Sequence, residues 1–143
     1  MTPLPFSLHP QLAEDTTPVG ELALSRVLLM NDANYPWLIL VPRRAGAVEI
    51  ADLPDDDQVL LMREIAQASR ALKAVSACDK LNVAAIGNVV PQLHVHVVAR
   101  RRDDLAWPKP VWGVAPAMAY APAARDALIA RLHDAFGAVL TQP

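Results

Sequence analysis

Runs of apolar residues alternate with polar, turn-forming clusters along the chain. The segment Glu21–Met30 is apolar and rich in β-formers towards its end, and it stops at Asn31–Asn34, a cluster that favours a turn. A second run, Pro36–Val41, follows directly, so the two runs predict an antiparallel hairpin. The unbroken apolarity of Trp37–Val41 predicts a strand that is covered on both faces.

Two longer segments repeat their apolar residues at helical spacing. The first follows Pro54 and the acidic trio Asp55–Asp57, which complements the dipole of a helix N-terminus. It predicts an amphipathic helix over about residues 55–76, with an apolar side made of Leu61, Ile65, Ala68, Leu72 and Val75. A second helix is predicted over Ala123–Leu140, with an apolar side made of Leu128, Leu132, Phe136 and Val139.

Two further strands and two irregular segments complete the predicted organisation. Leu81–Ile86 and Leu93–Ala99 are predicted strands, and the second has the clearest strand pattern in the chain. Residues 1–20 are predicted to form a polar, proline-punctuated arm, and residues 105–122 an irregular loop rich in Trp and Pro. This order predicts a single α+β domain over residues 1–143, with a mainly antiparallel sheet and both helices packed on one face.

The composition narrows the class of protein. A chain of 143 residues that is 53% hydrophobic and 20% charged has the size and balance of one ordered globular domain. A net charge of −2 argues against binding a nucleic-acid duplex but allows a small phosphate ligand. The only cysteine, Cys78, cannot form an intramolecular disulfide and fits a reducing compartment. Because the chain shows neither a secretory-signal pattern nor an apolar run that could span a bilayer, we expect a cytoplasmic protein without a membrane partner.

The most informative stretch lies on the predicted strand around residue 95. Side chains alternate across a strand, so this stretch presents an apolar set on one face and a polar set on the other. The apolar set is Leu93, Val95 and Val97, and the polar set is Gln92, His94 and His96. We expect the apolar set to pack under the helices, which leaves the polar set aligned on the opposite face.

Two imidazoles so close together favour a neutral ring, because double protonation would place like charges side by side. A neutral imidazole can attack an electrophilic phosphorus, and its neighbour can supply a proton to the departing group. Two other interpretations of His94 and His96 remain open, a structural pair and a metal site. A metal site needs a third and usually a fourth ligand; His9 and His133 are possible donors, although neither lies in a ligand-like motif.

The stretch resembles the signature of the histidine-triad (HIT) superfamily, in which three histidines alternate with apolar residues along a strand. His94 falls on the middle, nucleophilic histidine and His96 on the last one, while Gln92 occupies the place of the first. The likeness covers about residues 22–103 and implies a HIT-like fold. It makes His94, His96 and Gln92 the candidate catalytic residues.

The surrounding residues extend the resemblance. Leu81–Val83 and the turn Gly87-Asn88 are similar to the family's strand and Gly-Gln turn, and Asn31 is similar to an asparagine near the nucleotide ribose. The candidate substrate-binding residues are Asn31, Asn82, Asn88, Arg100 and Trp112. Four of them have a structural alternative: Asn31 and Asn88 favour turns on their own, Arg100 opens an Arg-Asp run that is typical of a solvated surface, and Trp112 can equally cap the core.

The resemblance also implies a mechanism and a substrate class. The carbonyl of Gln92 would accept a hydrogen bond from the His94 ring, a contact that does not depend on the Gln92 side chain. The implied protein is a homodimeric nucleotide hydrolase or nucleotidyl transferase that acts at the α-phosphorus through a covalent nucleotidyl-histidine.

The implied substrates are dinucleoside polyphosphates or nucleoside phosphoramidates. No metal is intrinsic to this chemistry, with Mg²⁺ as the ion that accompanies a polyphosphate. Two alternatives are kept, a nucleotide-binding dimer with little turnover and a metal-dependent enzyme that uses His94 and His96. The loop Trp107–Trp112 is expected at a subunit interface, and Trp37 in the core.

Overall fold

The computed structural model describes residues 5–143 and contains one five-stranded antiparallel sheet. The strands are β1 (Thr16–Glu21), β2 (Ser25–Met30), β3 (Trp37–Pro42), β4 (Lys80–Ala84) and β5 (Val95–Arg100). Their order in the sheet is β1-β2-β3-β5-β4, and each neighbouring pair is antiparallel. The helices are α1 (Pro10–Asp15), α2 (Asp55–Ser76) and α3 (Pro122–Phe136), with short 3-10 turns at Ile50–Asp52 and Gly137–Val139. The predicted α+β class is therefore confirmed.

Most of the predicted elements lie close to their observed positions. β2 and β3 form the predicted hairpin, in which Leu28 pairs with Ile39. The long helix spans the predicted residues 55–76, and the loop between β5 and α3 contains neither helix nor strand as far as Ala121. β5 begins at Val95, two residues later than predicted, so His94 precedes the strand.

The predicted proline-punctuated arm over residues 1–20 contains regular structure from residue 10 onwards. Residues 10–15 form α1, whose N-terminus is capped by the His9 side chain, and residues 16–21 form β1 at the edge of the sheet. The prolines are compatible with this regular structure, because Pro10 lies in the first turn of α1 and Pro18 lies on an edge strand at a register shift. Proline is tolerated in both places. Residues 1–4 of that arm lie outside the described residues.

The two faces of the sheet are covered in different ways. One face packs against α2 and α3, as predicted, and contributes Leu38, Leu40, Val95 and Val97 to a large core. The other face carries a smaller core around Trp37 and Ile39 that is covered by residues 6–12 and by the loop after β5. Among residues 5–143, no helix is long and apolar enough to cross a membrane.

A buried carboxylate ties α2 to the start of the β2 strand. Glu64 is 1% exposed, and its two oxygens accept hydrogen bonds from the backbone N–H groups of Leu24 at 2.8 Å and Ser25 at 2.9 Å. Buried charges are tolerated in proteins where such bonds replace hydration. Glu64 therefore fixes the β1–β2 turn against the helix, a role that its acidic character did not predict.

Candidate active site

The two histidines of the signature lie side by side on the face opposite the helices. Their ring centroids are 4.9 Å apart, and the residues are 7% and 6% exposed for His94 and His96. Leu93, Val95 and Val97 belong to the core under the helices. The predicted separation of the polar and apolar sets across the strand is thus confirmed.

The backbone of Gln92 orients the ring of His94. The Nδ1 atom of His94 lies 2.7 Å from the Gln92 carbonyl oxygen. A carbonyl can only accept a hydrogen bond, so Nδ1 carries the proton, and a neutral ring then has its lone pair at Nε2. Within the described residues no group bonds to Nε2, which leaves that atom available as a nucleophile.

His96 is held in the opposite tautomer. The indole Nε1–H of Trp37 donates to Nδ1 of His96 at 3.0 Å. Because an indole is only a donor, Nδ1 must be unprotonated, and the neutral ring carries its hydrogen at Nε2. Burial, and then the charge of the adjacent His94, lower the pKa of His96 to about 4. His96 is therefore a neutral hydrogen-bond donor at pH 7.

Two tryptophans form the aromatic surroundings of this pair. Trp112 meets the His96 ring edge-on at 5.1 Å between centroids, and Trp37 lies 5.7 Å from Trp112. Trp37 is only 4% exposed and belongs to the smaller core, as predicted. Its hydrogen bond to His96 was not predicted, although alternation along β3 and a buried indole's need for an acceptor were available signals.

His94 lines two cavities. The first, of about 220 Å³, is mostly apolar and is lined by both histidines, Trp112, part of α1 and the turn at residues 86–90. The second, of about 380 Å³, is lined by residues 48–51, 85–87 and 91–94. His94 thus faces space on two sides, as a nucleophile needs when its substrate extends in both directions from the reacting atom.

The charges around the two cavities are unusual for a phosphate site. Within residues 5–143, neither cavity is lined by a lysine or an arginine. Each cavity instead has one carboxylate in its wall, Asp15 in the first and Glu49 in the second. The positive field that would neutralise a long polyphosphate chain is therefore missing from both walls.

The predicted site residues lie in different positions relative to the two cavities. Asn88 and Trp112 line the first cavity together with the histidines, and Gln92 lines the second. Asn31 lines neither cavity, although the preceding Met30 lines the first, and its Oδ1 accepts a hydrogen bond from the Thr17 hydroxyl at 2.7 Å. Gly87 adopts a φ of +70°, which a glycine takes without strain, so the predicted turn before the histidines is present.

Arg100 and Asn82 lie in a buried network that neither cavity reaches. Arg100 is 1% exposed and makes two bonds to the Asp104 carboxylate, at 2.8 and 3.0 Å, and one to the Asn82 Oδ1 at 2.8 Å. Its guanidinium also stacks over the rings of Tyr35 and Trp107. The interpretation of Arg100 as part of a solvated charge run is therefore wrong, because a planar guanidinium matches the bidentate carboxylate and the aromatic faces around it.

The remaining histidines have local partners. The His9 Nδ1 accepts a hydrogen bond from the backbone N–H of Gln11, and the His133 Nε2 contacts the Val19 carbonyl oxygen at 2.6 Å. In the part of the chain that the structure describes, no group of three or more His, Cys, Asp or Glu side chains could hold a metal ion. The third ligand that the metal interpretation requires is therefore absent from residues 5–143.

Three residues from α1 line the first cavity and were not predicted as site residues. They are Gln11, Leu12 and Asp15, all from α1. The predicted proline-punctuated arm over residues 1–20 did not include a helix at residues 10–15. A helix of six residues carries too few apolar positions for a periodic signal, so the sequence contained little that would have located it.

Comparisons with known proteins agree with this architecture. The HIT domain family matches residues 11–103. A histidine triad protein from Bradyrhizobium japonicum is 54% identical with a TM-score of 0.92, and the match covers 94% of this chain and 100% of that chain. A histidine triad protein from Marinobacter aquaeolei VT8 is 44% identical with a TM-score of 0.91, over 94% and 98% of the two chains.

A histidine triad (HIT) protein from Sinorhizobium meliloti 1021 is 42% identical with a TM-score of 0.89, over 90% of this chain and 96% of that chain. A comparison with curated proteins gave no match. The extent of the family match and the identity to these structures show that the chain belongs to the HIT domain family, whose members are generally nucleotide-binding hydrolases or transferases.

Proposed function

We propose that this protein hydrolyses a nucleoside monophosphate derivative through a covalent bond between His94 and the α-phosphorus. The observation that carries the proposal is the 2.7 Å contact between His94 Nδ1 and the Gln92 carbonyl. It holds the ring in the tautomer that presents a lone pair at Nε2 to the cavities. The side chain of Gln92 takes no part in this contact, so the absence of a first histidine leaves it intact.

The reaction would proceed in two displacements. The lone pair of His94 Nε2 attacks the α-phosphorus, and the bond from phosphorus to the leaving atom breaks with its electron pair on that atom. The resulting imidazolium keeps its Nδ1–H bond to the Gln92 carbonyl, which stabilises the positive charge. Water then attacks the phosphorus and releases a proton to solvent, the bond to Nε2 breaks with its electron pair on the ring, and the nucleoside monophosphate is released.

His96 would bind the reacting phosphate. Its Nε2–H donor, fixed by the bond from Trp37, suits a phosphate oxygen that gains charge in the transition state. With a pKa of about 4 in the free protein, His96 does not carry a spare proton at pH 7. A leaving group that takes its proton from solvent or from a bound phosphate fits this site better than one that needs a strong acid.

The charges favour one of the two substrate classes. The first cavity is apolar and suits a nucleoside, while the walls of both cavities lack basic residues. A dinucleoside polyphosphate would bring several negative charges close to Asp15 and Glu49, and would need Mg²⁺ as a counterion. A nucleoside phosphoramidate has one phosphate and a neutral or cationic amine, so we propose that class.

The partner in this proposal is a second copy of the chain. β4 forms an edge of the sheet with no neighbouring strand in residues 5–143, whereas the opposite edge is bridged between Glu21 and Thr141. Val83 on β4 is 48% exposed. Pairing of two β4 strands would cover this open edge. Val83→Asp should then shift the mass measured by light scattering from dimer to monomer, whereas Val139→Asp, at a residue 49% exposed on a 3-10 turn, should not.

A trapping experiment tests the covalent step. The protein is mixed with adenosine 5′-phosphoramidate, quenched in alkaline denaturant and measured by intact mass and peptide mapping. We expect an adenylyl group on His94 and release of AMP, and neither with His94→Asn. Turnover without an adduct, or turnover that survives His94→Asn, would contradict the proposal. Binding of AMP with no turnover would favour the nucleotide-binding alternative, and loss of turnover on chelation would favour the metal-dependent one.

A further inference from the structure

The side chain of Gln92 makes contacts that the proposed chemistry does not use. We propose that Gln92 is a positioning residue, whose amide clamps residues 7–9 and thereby shapes the wall of the first cavity. The residues from Phe6 to Asp15 are called the N-terminal segment below. The identity of the cavity's ligand rests on the proposed function, whereas the clamp itself rests on hydrogen bonds within the chain.

The clamp consists of two hydrogen bonds made by one planar amide. The Gln92 Nε2 donates to the Ser7 carbonyl oxygen at 2.8 Å, and the Gln92 Oε1 accepts from the backbone N–H of His9 at 2.8 Å. Both bonds join positions more than 80 residues apart in the chain. The side chain thus pairs with residues 7–9 as a neighbouring strand would, through one donor and one acceptor.

The residues held by the clamp, 7–9, directly precede α1. The His9 carbonyl accepts the N–H of Ala13 at 3.0 Å, and the His9 side chain caps the helix through the N–H of Gln11 at 3.1 Å. Fixing the backbone of His9 therefore fixes where α1 begins. Because an isolated helix of six residues is unstable in water, α1 depends on such anchors and on the burial of Leu12.

α1 in turn supplies a wall of the first cavity, since Gln11, Leu12 and Asp15 all line it. The same residue, Gln92, accordingly supports the site in two ways. Its carbonyl orients His94, and its side chain holds the segment that faces the substrate. A change of the side chain leaves the carbonyl in place, so it should alter binding far more than the chemical step.

Three substitutions separate these roles. Gln92→Ala removes both bonds, and Gln92→Glu keeps the acceptor for His9 but replaces the donor to Ser7 with an oxygen that repels the carbonyl. Gln67→Glu is the matched control, because it makes the same change of charge on α2, across the sheet from the site. Each variant is studied as the full chain, by amide exchange at His9, AMP binding by calorimetry, and kcat and KM on adenosine phosphoramidate.

We expect the His9 amide to be protected in the native protein and in Gln67→Glu, and to exchange at least about tenfold faster in Gln92→Ala. The Kd for AMP and the KM should rise about 5- to 30-fold in Gln92→Ala and Gln92→Glu, while kcat changes less than about threefold. Gln67→Glu should match the native protein in every measurement.

Distinct results would overturn the separate parts of the inference. Unchanged exchange at His9 in Gln92→Ala would refute the clamp. Faster exchange with unchanged AMP affinity would refute the shaping of the cavity. A fall in kcat with KM unchanged would show that the Gln92 side chain acts in the chemical step. If the native protein neither binds AMP nor turns over the phosphoramidate, the proposed function and the cavity's role fail together, while the exchange result still decides the clamp.

Discussion

The bond from Trp37 to His96 leads to the most specific prediction. Trp37→Phe keeps an aromatic ring in the smaller core but removes the N–H that donates to His96 Nδ1 at 3.0 Å. Both partners are at least 94% buried, so water does not readily replace the lost donor. An unsatisfied buried acceptor costs about 1–3 kcal/mol, and we expect the free energy of unfolding to fall by that amount.

The same substitution should slow the reaction. Without the indole donor, His96 is free to place its hydrogen on either nitrogen, and only the form with Nε2–H donates to the phosphate in the proposed mechanism. A bias of about 1.4 kcal/mol corresponds to a tenfold ratio of populations, so its loss lowers the fraction of the Nε2–H form from about nine-tenths to about half, and kcat should fall about twofold with KM little changed. Nitrogen NMR of labelled histidine should show the loss of the single tautomer.

A control variant isolates the hydrogen bond from the change in ring size. Trp107→Phe makes the same substitution on the same side of the sheet, where the ring contacts Arg100 and no histidine. We expect it to lower stability somewhat and to leave kcat and the histidine spectrum unchanged. The reasoning would be refuted if Trp37→Phe kept the native kcat and a single tautomer of His96.

Three further predictions concern stability, each measured by chemical denaturation. The pKa of His96 is lowered from 6.5 to about 4, so its contribution to the free energy of unfolding is complete above about pH 6.5 and is lost as the pH falls towards 4. Between about pH 7 and pH 4.5 the free energy of unfolding of the native protein should fall by on the order of 2 kcal/mol more than that of His96→Asn. Equal losses in the two proteins would contradict this. Glu64→Gln should lower the free energy of unfolding by about 2–4 kcal/mol because the new amide places a donor against a backbone N–H. Glu14→Gln, on the exposed side of α1, should leave it almost unchanged. Arg100→Lys should lower the free energy of unfolding by about 2–4 kcal/mol because it breaks the bidentate contact with Asp104, whereas the exposed Arg101→Lys should lower it by under about 0.5 kcal/mol. Equal effects of the two substitutions would refute the buried network.

Local periodicity in the sequence determined much of the fold. The period of a helix located α2 at residues 55–76, and the apolar runs on either side of Asn31–Asn34 located the β2–β3 hairpin. Alternation over residues 92–98 assigned His94 and His96 to the face opposite the helices. These predictions succeeded because each depends only on the spacing of neighbouring residues along one element.

The surroundings of the histidines depended on contacts between distant segments. Trp37 lies 59 positions from His96 and meets it only because β3 pairs with β5. Gln92 reaches Ser7 and His9 across more than 80 positions, through two hydrogen bonds of its side-chain amide. No local pattern encodes such contacts.

Burial decided the remaining differences. An Arg-Asp run has the composition of a solvated surface, yet Arg100 is 1% exposed because two aromatic rings and Asp104 enclose its guanidinium. The sequence by itself determined the fold class and the face of the sheet that His94 and His96 share. The tertiary structure alone decided the tautomers of His94 and His96, the charge state of His96 and the walls of the cavities, because these depend on the groups that packing brings close together.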